Sequence, residues 1–360
     1  MRDEMRGALQ RVAMGLVLSL LLASPTFAHE SPGYAHDSRV LTHHPDWLGK
    51  LRDDVRLSQL SLPGTHDTMS FYGGEAVQTQ TLSLPNQLES GIRVLDIRCR
   101  HVRFQSFVFA IVHGSVHQNA YFDDVLNATV AFLKKHPREV VYMRVKEEGN
   151  PQNIPADRTF EMTFRDQYWI NPRWREYFWP YHEGNPSLGE VRGKIVILQD
   201  FKSPYPRFYG INYHNGFFIQ DHFNLPTTSD LYGKWLLVLK QMHAANDDVL
   251  RFKYINYLSG SSAGVRPYFV ASGHSSTWTS APRLATGFTT PGWRHKWPDF
   301  PRVDCWRVFW TNFCTIAFEG TNILAYERMK NFRNVGIIMA DFPGPGLIDR
   351  TIALNAKYKK

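Results

Sequence analysis

Short apolar, β-branched runs alternate along the chain with longer stretches in which apolar residues recur at helical spacing. The short runs 55–60, 93–98, 107–112, 140–145, 194–199, 216–220, 253–258 and 335–340 read as strands. The stretches 121–135, 229–245, 322–330 and 346–356 read as helices. Strands alternating with helices indicate an α/β fold with a parallel sheet, and eight strands predict a (β/α)₈ barrel in a single domain. The barrel is expected to be irregular. Only about eight residues separate the second and third runs, too few for a helical crossover between parallel strands. Segment 260–320 is rich in Trp, Gly and Pro and shows little periodicity. It reads as a long insertion before the last helix and strand. Within it Trp278, Trp293 and Trp297 lie among Gly and Pro, where side chains can project, and are expected at a water–lipid boundary.

The first 28 residues stand apart. Arg2, Arg6 and Arg11 precede an apolar run from Met14 to Ala23, and small Thr26 and Ala28 take the −3 and −1 places of a cleavage site. This is the pattern of a secretory signal peptide, too short for a stable membrane anchor. No later stretch is long and apolar enough to span a membrane. Residues 29–360 are therefore expected as an exported catalytic chain, extracellular or periplasmic, acting as a monomer.

Charge changes this picture little. The 41 Lys and Arg against 33 Asp and Glu leave a formal +8, dispersed without a basic tract, so no nucleic-acid partner is expected. A mild positive field suits an anionic membrane surface or a phosphate substrate. Of the three cysteines, Cys305 and Cys314 lie close enough to close a small loop. In an exported protein that pair is open to disulfide formation. Cys99 reads as a small buried hydrophobe.

Candidate chemistry gathers where the strands end. His66 and Asp67 follow the first run in "LSLPGTHDT". Arg98 ends the second ("LDIRCR"), His113 the third ("AIVHGS"), Lys146 the fourth ("MRVKEE") and Asp200 the fifth ("ILQDF"). Asp221 follows the sixth ("FIQDHF") and Asp341 the eighth ("IIMADFPG"). Any one of these is an ordinary strand end. A barrel, however, brings all the C-terminal strand ends to one face, where its active sites lie. No HExxH, CxxC or P-loop is present. Two imidazoles and a guanidinium suit phosphodiester cleavage. One imidazole takes a proton from an attacking hydroxyl and the other donates one to the leaving oxygen, while the guanidinium meets the transition-state charge. Each histidine needs a carboxylate partner, and Asp67 and Asp341 can serve. His101, His117 and His222 read as surface histidines.

These residues carry a resemblance. "LSLPGTHDT", "ESGIRVLDIRCR", "IVHGSV", "VRGKIVIL" and "VGIIMADFPGPGLIDRTIALN" recur in this order in the bacterial phosphatidylinositol-specific phospholipase C family, the X-domain fold, and the match spans about residues 58–355. The resemblance implies an irregular (β/α)₈ barrel and a phosphatidylinositol diacylglycerol-lyase that makes diacylglycerol and inositol 1,2-cyclic phosphate, with slow hydrolysis of the ring. It implies His66 as base, oriented by Asp341, and His113 as acid, partnered by Asp67. Arg98 would bind phosphate, where calcium-dependent members place an acidic metal ligand, so no metal and no cofactor are implied. Asp96 would support the site. Lys146 and Asp221 match positions lining the inositol pocket. Two positions depart from the family pattern. Asp200, with Lys202 two residues on, stands where an Arg is common, and His222 and Phe223 stand where an aromatic often follows Asp221. The implied partner is a phospholipid at a membrane surface, contacted peripherally. Two alternatives stay open: a metal-dependent phosphodiesterase acting on glycerophosphodiesters or sphingomyelin, and a non-catalytic lipid- or anchor-binding module.

Overall fold

In the computed structural model, residues 31–39, 42–181, 184–204 and 209–360 are described. The leader expected over residues 1–28 lies outside them. The first strand, β1 (Leu62–Thr65), begins later than the sequence pattern suggests. Val55, Leu57 and Leu60 instead surround a short 3-10 turn and are buried with Leu62 in the interior of the curled sheet. Their alternation mimics a strand because they too bury one side. Helix α1 (Leu84–Ser90) then runs between Ser83, whose hydroxyl accepts from the Asn86 amide, and Gly91 at φ 113°, a left-handed cap that favours glycine.

After β2 (Val94–Arg103) the chain doubles back as an antiparallel pair, β3 (Phe107–His113) and β4 (Val116–Tyr121). The third predicted run is thus a strand but not a barrel stave, which resolves its short connection. Helix α2 (Phe122–Lys135) opens with Asp123 and Asp124 and closes with Lys134 and Lys135, each charge matched to the helix dipole. The staves continue with β5 (Val141–Glu147), β6 (Ile195–Asp200), β7 (Ile211–Asn212) and β8 (Phe218–Gln220). Helix α3 (Leu231–Asp247) leads to β9 (Tyr254–Tyr257).

The insertion follows. It holds helix α4 (Pro267–Ser272) and a three-stranded antiparallel sheet of β10 (Ala285–Thr290), β11 (Arg302–Val308) and β12 (Thr311–Ala317), in the order β10-β12-β11. Cys305 and Cys314 form a disulfide within it. Helix α5 (Thr321–Arg328), β13 (Ile337–Ala340) and helix α6 (Pro345–Ala353) complete the chain.

Eight strands pair in parallel in the order β7-β6-β5-β2-β1-β13-β9-β8. The sheet curls, and Tyr213, just after β7 at one end, reaches Tyr257 on β9, the strand beside the other end, with their hydroxyls 2.7 Å apart. Period-two alternation sorts each strand into an outward side packed on helices and an inward side. Inward stand Leu62, Val94, Tyr142, Leu198, Ile255, Ile337 and Met339, one buried cluster. Gly64 shares that side, and a Cβ there would lie 2.5 Å from Met339 Sδ. Continuing the same parity toward the C-terminal ends gives His66, Asp96 with Arg98, Arg144 with Lys146, Asp200 and Asp341. The apolar interior thus turns ionisable at one rim.

Below the rim, Arg93 and Glu139 form a wholly buried ion pair at 2.7 Å. Arg93 also donates to the carbonyls of Leu88, Ile92, His44 and Pro45, and Glu139 accepts from the amides of Leu48 and Gly49. Removing one partner strands the other charge. Glu139→Ala is expected to lower unfolding free energy by about 3–5 kcal/mol in a denaturant titration. A loss below about 1 kcal/mol would contradict this role.

Of the three tryptophans expected to project, Trp278 is 73% and Trp293 46% exposed. Trp297 is not a projecting residue. It is partly buried and packs against a buried cluster, with its ring centroid 5.9 Å from Phe300 and 6.2 Å from Phe318.

Candidate active site

Asp341 follows β13, and its Oδ1 lies 2.7 Å from His66 Nδ1. On the other side of the imidazole, Arg98 Nη2 lies 2.7 Å from His66 Nε2. A guanidinium only donates. Nε2 must therefore accept, and the ring proton sits on Nδ1, donated to Asp341. Burial, and then the positive charge of Arg98, hold the His66 pKa well below the usual histidine value. Burial, with Asp67 near, pushes the Asp341 carboxyl well up, making it a strong acceptor for Nδ1–H. His66 is thus fixed as a neutral imidazole whose lone pair faces Arg98.

Arg98 is the hub. It donates to Asp96 Oδ2 at 3.1 Å and to Glu148 Oε2 at 3.3 Å, and lies 3.5 Å from Asp67 Oδ2. Burial opposes its charge, but Asp67, Asp96 and Glu148 more than offset that and raise its pKa. Burial likewise opposes ionisation of Asp96, and Arg144 and Arg98 overcome it, keeping that carboxylate charged.

Asp67 has φ 43°, a left-handed conformation that Asp tolerates better than most residues. Its carboxylate serves His113, with Oδ2 3.1 Å from His113 Nδ1. Ser70 Oγ stands 3.0 Å from the same nitrogen and donates its own proton to the Val77 carbonyl, so it accepts from Nδ1–H. Burial pushes Asp67 up to about 8 and pulls His113 down. The ring proton on Nδ1 is thus held between Ser70 and Asp67.

A cavity of about 340 Å³ opens over this rim, lined by His66, Arg98, His113, Lys146, Asp221 and Asp341 among others. Phe223 also lines it, as do Arg144 and Glu148. Asp200 does not line it. Its Oδ2 accepts from Arg144 Nη2 at 2.7 Å and its Oδ1 lies 2.7 Å from His214 Nε2. Asp96 lies beneath, bonded to both Arg98 and Arg144.

Sequence reasoning missed Arg144, Glu148 and Ser70. Arg144 and Glu148 stand two residues either side of Lys146, so strand parity alone places them on its face. Glu148 accepts from Lys146 Nζ at 2.9 Å as well as from Arg98. No local signal marks Ser70, which reaches the site through its loop. One reading is corrected: His101 is buried, not at the surface. It lies on the outward side of β2, bonds Thr163 at 2.8 Å and packs against Phe109. Cys99 is buried, as expected.

Residues 60–200 match the family profile described as phosphatidylinositol-specific phospholipase C, X domain. Over 239 residues the chain is 32% identical to a 1-phosphatidylinositol phosphodiesterase of Listeria monocytogenes, covering 61% of this chain and 70% of that protein. The chain belongs to the phosphatidylinositol-specific phospholipase C family. A second relative of this family, a 1-phosphatidylinositol phosphodiesterase of Staphylococcus aureus, is 27% identical over 324 residues, covering 80% of this chain and 95% of the relative. The solved phosphatidylinositol-specific phospholipase C of L. monocytogenes superposes with a TM-score of 0.60 at 26% identity, over 87% of this chain and 99% of that one. An S. aureus phosphatidylinositol-specific phospholipase C structure superposes at 0.63 with 21% identity, over 86% and 97% of the two chains, and shares the fold. The irregular barrel is therefore the family's.

Proposed function

We propose that this chain cleaves phosphatidylinositol, or a related inositol phosphodiester such as a glycosylated anchor, to diacylglycerol and inositol 1,2-cyclic phosphate without a metal ion. The observation that carries this reading is the Asp341–His66–Arg98 chain, in which donor geometry leaves a neutral base with its lone pair beside a guanidinium. When a phosphodiester enters, its non-bridging oxygens draw Arg98, and His66 Nε2 is released to accept the proton of the inositol 2-hydroxyl. The oxygen of that hydroxyl attacks phosphorus and closes the cyclic ester. The bond to the diacylglycerol oxygen breaks as His113 Nε2 donates its proton there. The incoming anion and the Asp67 carboxylate favour the imidazolium form of His113, which keeps Nδ1–H toward Ser70 and Asp67 and takes up from water the second proton, at Nε2, that it then donates.

Lys146 and Asp221 line the cavity where inositol hydroxyls would lie. Asp200 acts one step behind, holding Arg144. Asp96 anchors Arg98. Head-group release from vesicles tests the reading. Phosphatidylinositol is expected to be cleaved and phosphatidylcholine spared. Equal cleavage of both would contradict inositol recognition. We further propose that the chain is exported through its N-terminal leader and acts as a monomer at a membrane surface. No helix among the described residues is long and apolar enough to cross a membrane.

The pH dependence follows from the two pairs. His66 serves as base only when neutral. Burial holds its pKa well below the usual histidine value of 6.5, so activity persists as pH falls through 6.5 and its acid limb lies lower. His113 serves as acid only when protonated, and burial holds its pKa below the usual histidine value, so the rate falls as pH rises and the imidazolium is lost. A profile of kcat/KM that rises from pH 7 through 9 would contradict the assignment.

A further inference from the structure

Every residue from Asp304 to Asn312 is exposed, although they form the paired strands β11 and β12. This hairpin projects from the molecule. Val308 pairs with Thr311, which makes Phe309 and Trp310 the two turn residues. Both are 90% exposed. Two-residue hairpin turns favour Asn, Asp and Gly, because the backbone takes positive φ. Phe309 adopts φ 52° with a bulky side chain, a conformation such residues rarely take. The tip thus breaks local turn chemistry and exposes two aromatic rings, a departure expected at a functional site.

The hairpin is also reinforced. A two-stranded ribbon is marginal in water. Here Cys305 and Cys314 bridge its strands, and Trp306 stacks on Phe313 with centroids 5.7 Å apart. Arg307 Nε donates to the Phe309 carbonyl at 3.1 Å, which sets a guanidinium beside the tip. At the base, Arg302 donates to the carbonyls of Arg294 and Lys296, placing these exposed cations beside the start of β11. The insertion leaves the barrel at the C-terminal end of β9 and returns through α5 to β13. Its first residues, Gly260, Ser261 and Pro267, line the catalytic cavity. The hairpin is therefore rooted at the rim where substrate enters.

We propose that this disulfide-bridged hairpin is a membrane-docking wedge, with Phe309 and Trp310 entering the interfacial layer of a bilayer and Arg307 and the basal cations meeting anionic head groups. Trp is favoured at that boundary because its ring is apolar and its N–H is polar. Cations beside an apolar tip favour an anionic membrane surface over an uncharged one. The proposal rests on the lipid-cleaving reading of the cavity only for the orientation of the docked molecule.

Co-sedimentation of the full chain with vesicles of phosphatidylcholine and phosphatidylserine, free of phosphatidylinositol, separates docking from catalysis. Phe309→Ser/Trp310→Ser is expected to bind at least tenfold more weakly than wild type, with its melting temperature and its rate on a soluble inositol phosphodiester unchanged. Trp310→Phe should retain most of the binding. Vesicle binding by the double serine variant equal to wild type would overturn the proposal, as would no binding by wild type. A wild-type dimer on gel filtration that the same variant dissolves would also overturn it, because a second copy would then cover the tip. An inactive wild type that still docks through the tip would refute the lipase reading and leave the wedge standing.

Discussion

His66→Ala is expected to slow phosphatidylinositol cleavage by about 10³-fold or more, and no change of leaving group should restore it. The reason lies in the single lone pair at Nε2. Asp341 fixes the Nδ1 proton at 2.7 Å, and among the described residues the one other imidazole lining the cavity is His113, which is tied to Asp67. Every substrate needs its attacking hydroxyl deprotonated. His113→Ala removes a different service. Its proton matters only when the departing oxygen is a poor leaving group. A substrate with a phenol-type leaving group should recover much of the His113→Ala loss, about 10²-fold or more, and little of the His66→Ala loss. Steady-state rates of both variants on the two substrates make the comparison. Equal recovery would contradict the separate roles.

The second large effect concerns Arg98. Its Nη2 meets both Asp96 and His66 while its Nη1 meets Glu148. An ammonium cannot occupy that fork. Arg98→Lys is expected to lose about 10²–10³-fold in rate, the scale of one lost transition-state donor. Wild-type rate should be unchanged by EDTA. The carboxylates around Arg98 already neutralise a fixed cation, and a divalent ion placed among them would be repelled by it. Rates measured in EDTA, and then with added Ca²⁺ or Mg²⁺, test this. Loss in EDTA with recovery on metal addition would favour a metal-dependent phosphodiesterase.

How much of this was legible depends on where physical signals survive in sequence. His66, Arg98, Lys146 and Asp341 end strands whose inward residues are apolar, so a change from apolar to ionisable at fixed parity exposes them. Arg144 and Glu148 carry the same parity and were readable by the same rule. His113 sits at a strand end too, but its strand runs antiparallel to β2, and pairing direction leaves no mark on a single run. The stave that takes its place, Ile211–Asn212, is two residues long and shows no period. Strands β11 and β12 leave no periodic mark because both faces of the hairpin are exposed, so no alternation of apolar and polar residues develops. The 55–60 run misled for the opposite reason. Its alternating apolar residues do bury one side, but as a turn within the interior of the curled sheet.

The central claim is metal-free formation of a cyclic phosphate, and phosphorus NMR follows it directly. The chain is mixed with phosphatidylinositol in detergent and EDTA, and the phosphorus resonance is monitored with time. The account predicts that the phosphodiester signal decays first into that of a five-membered cyclic phosphate, which opens to inositol 1-phosphate only slowly. Direct appearance of an acyclic phosphomonoester with no cyclic signal, or no turnover until metal is added, would contradict it.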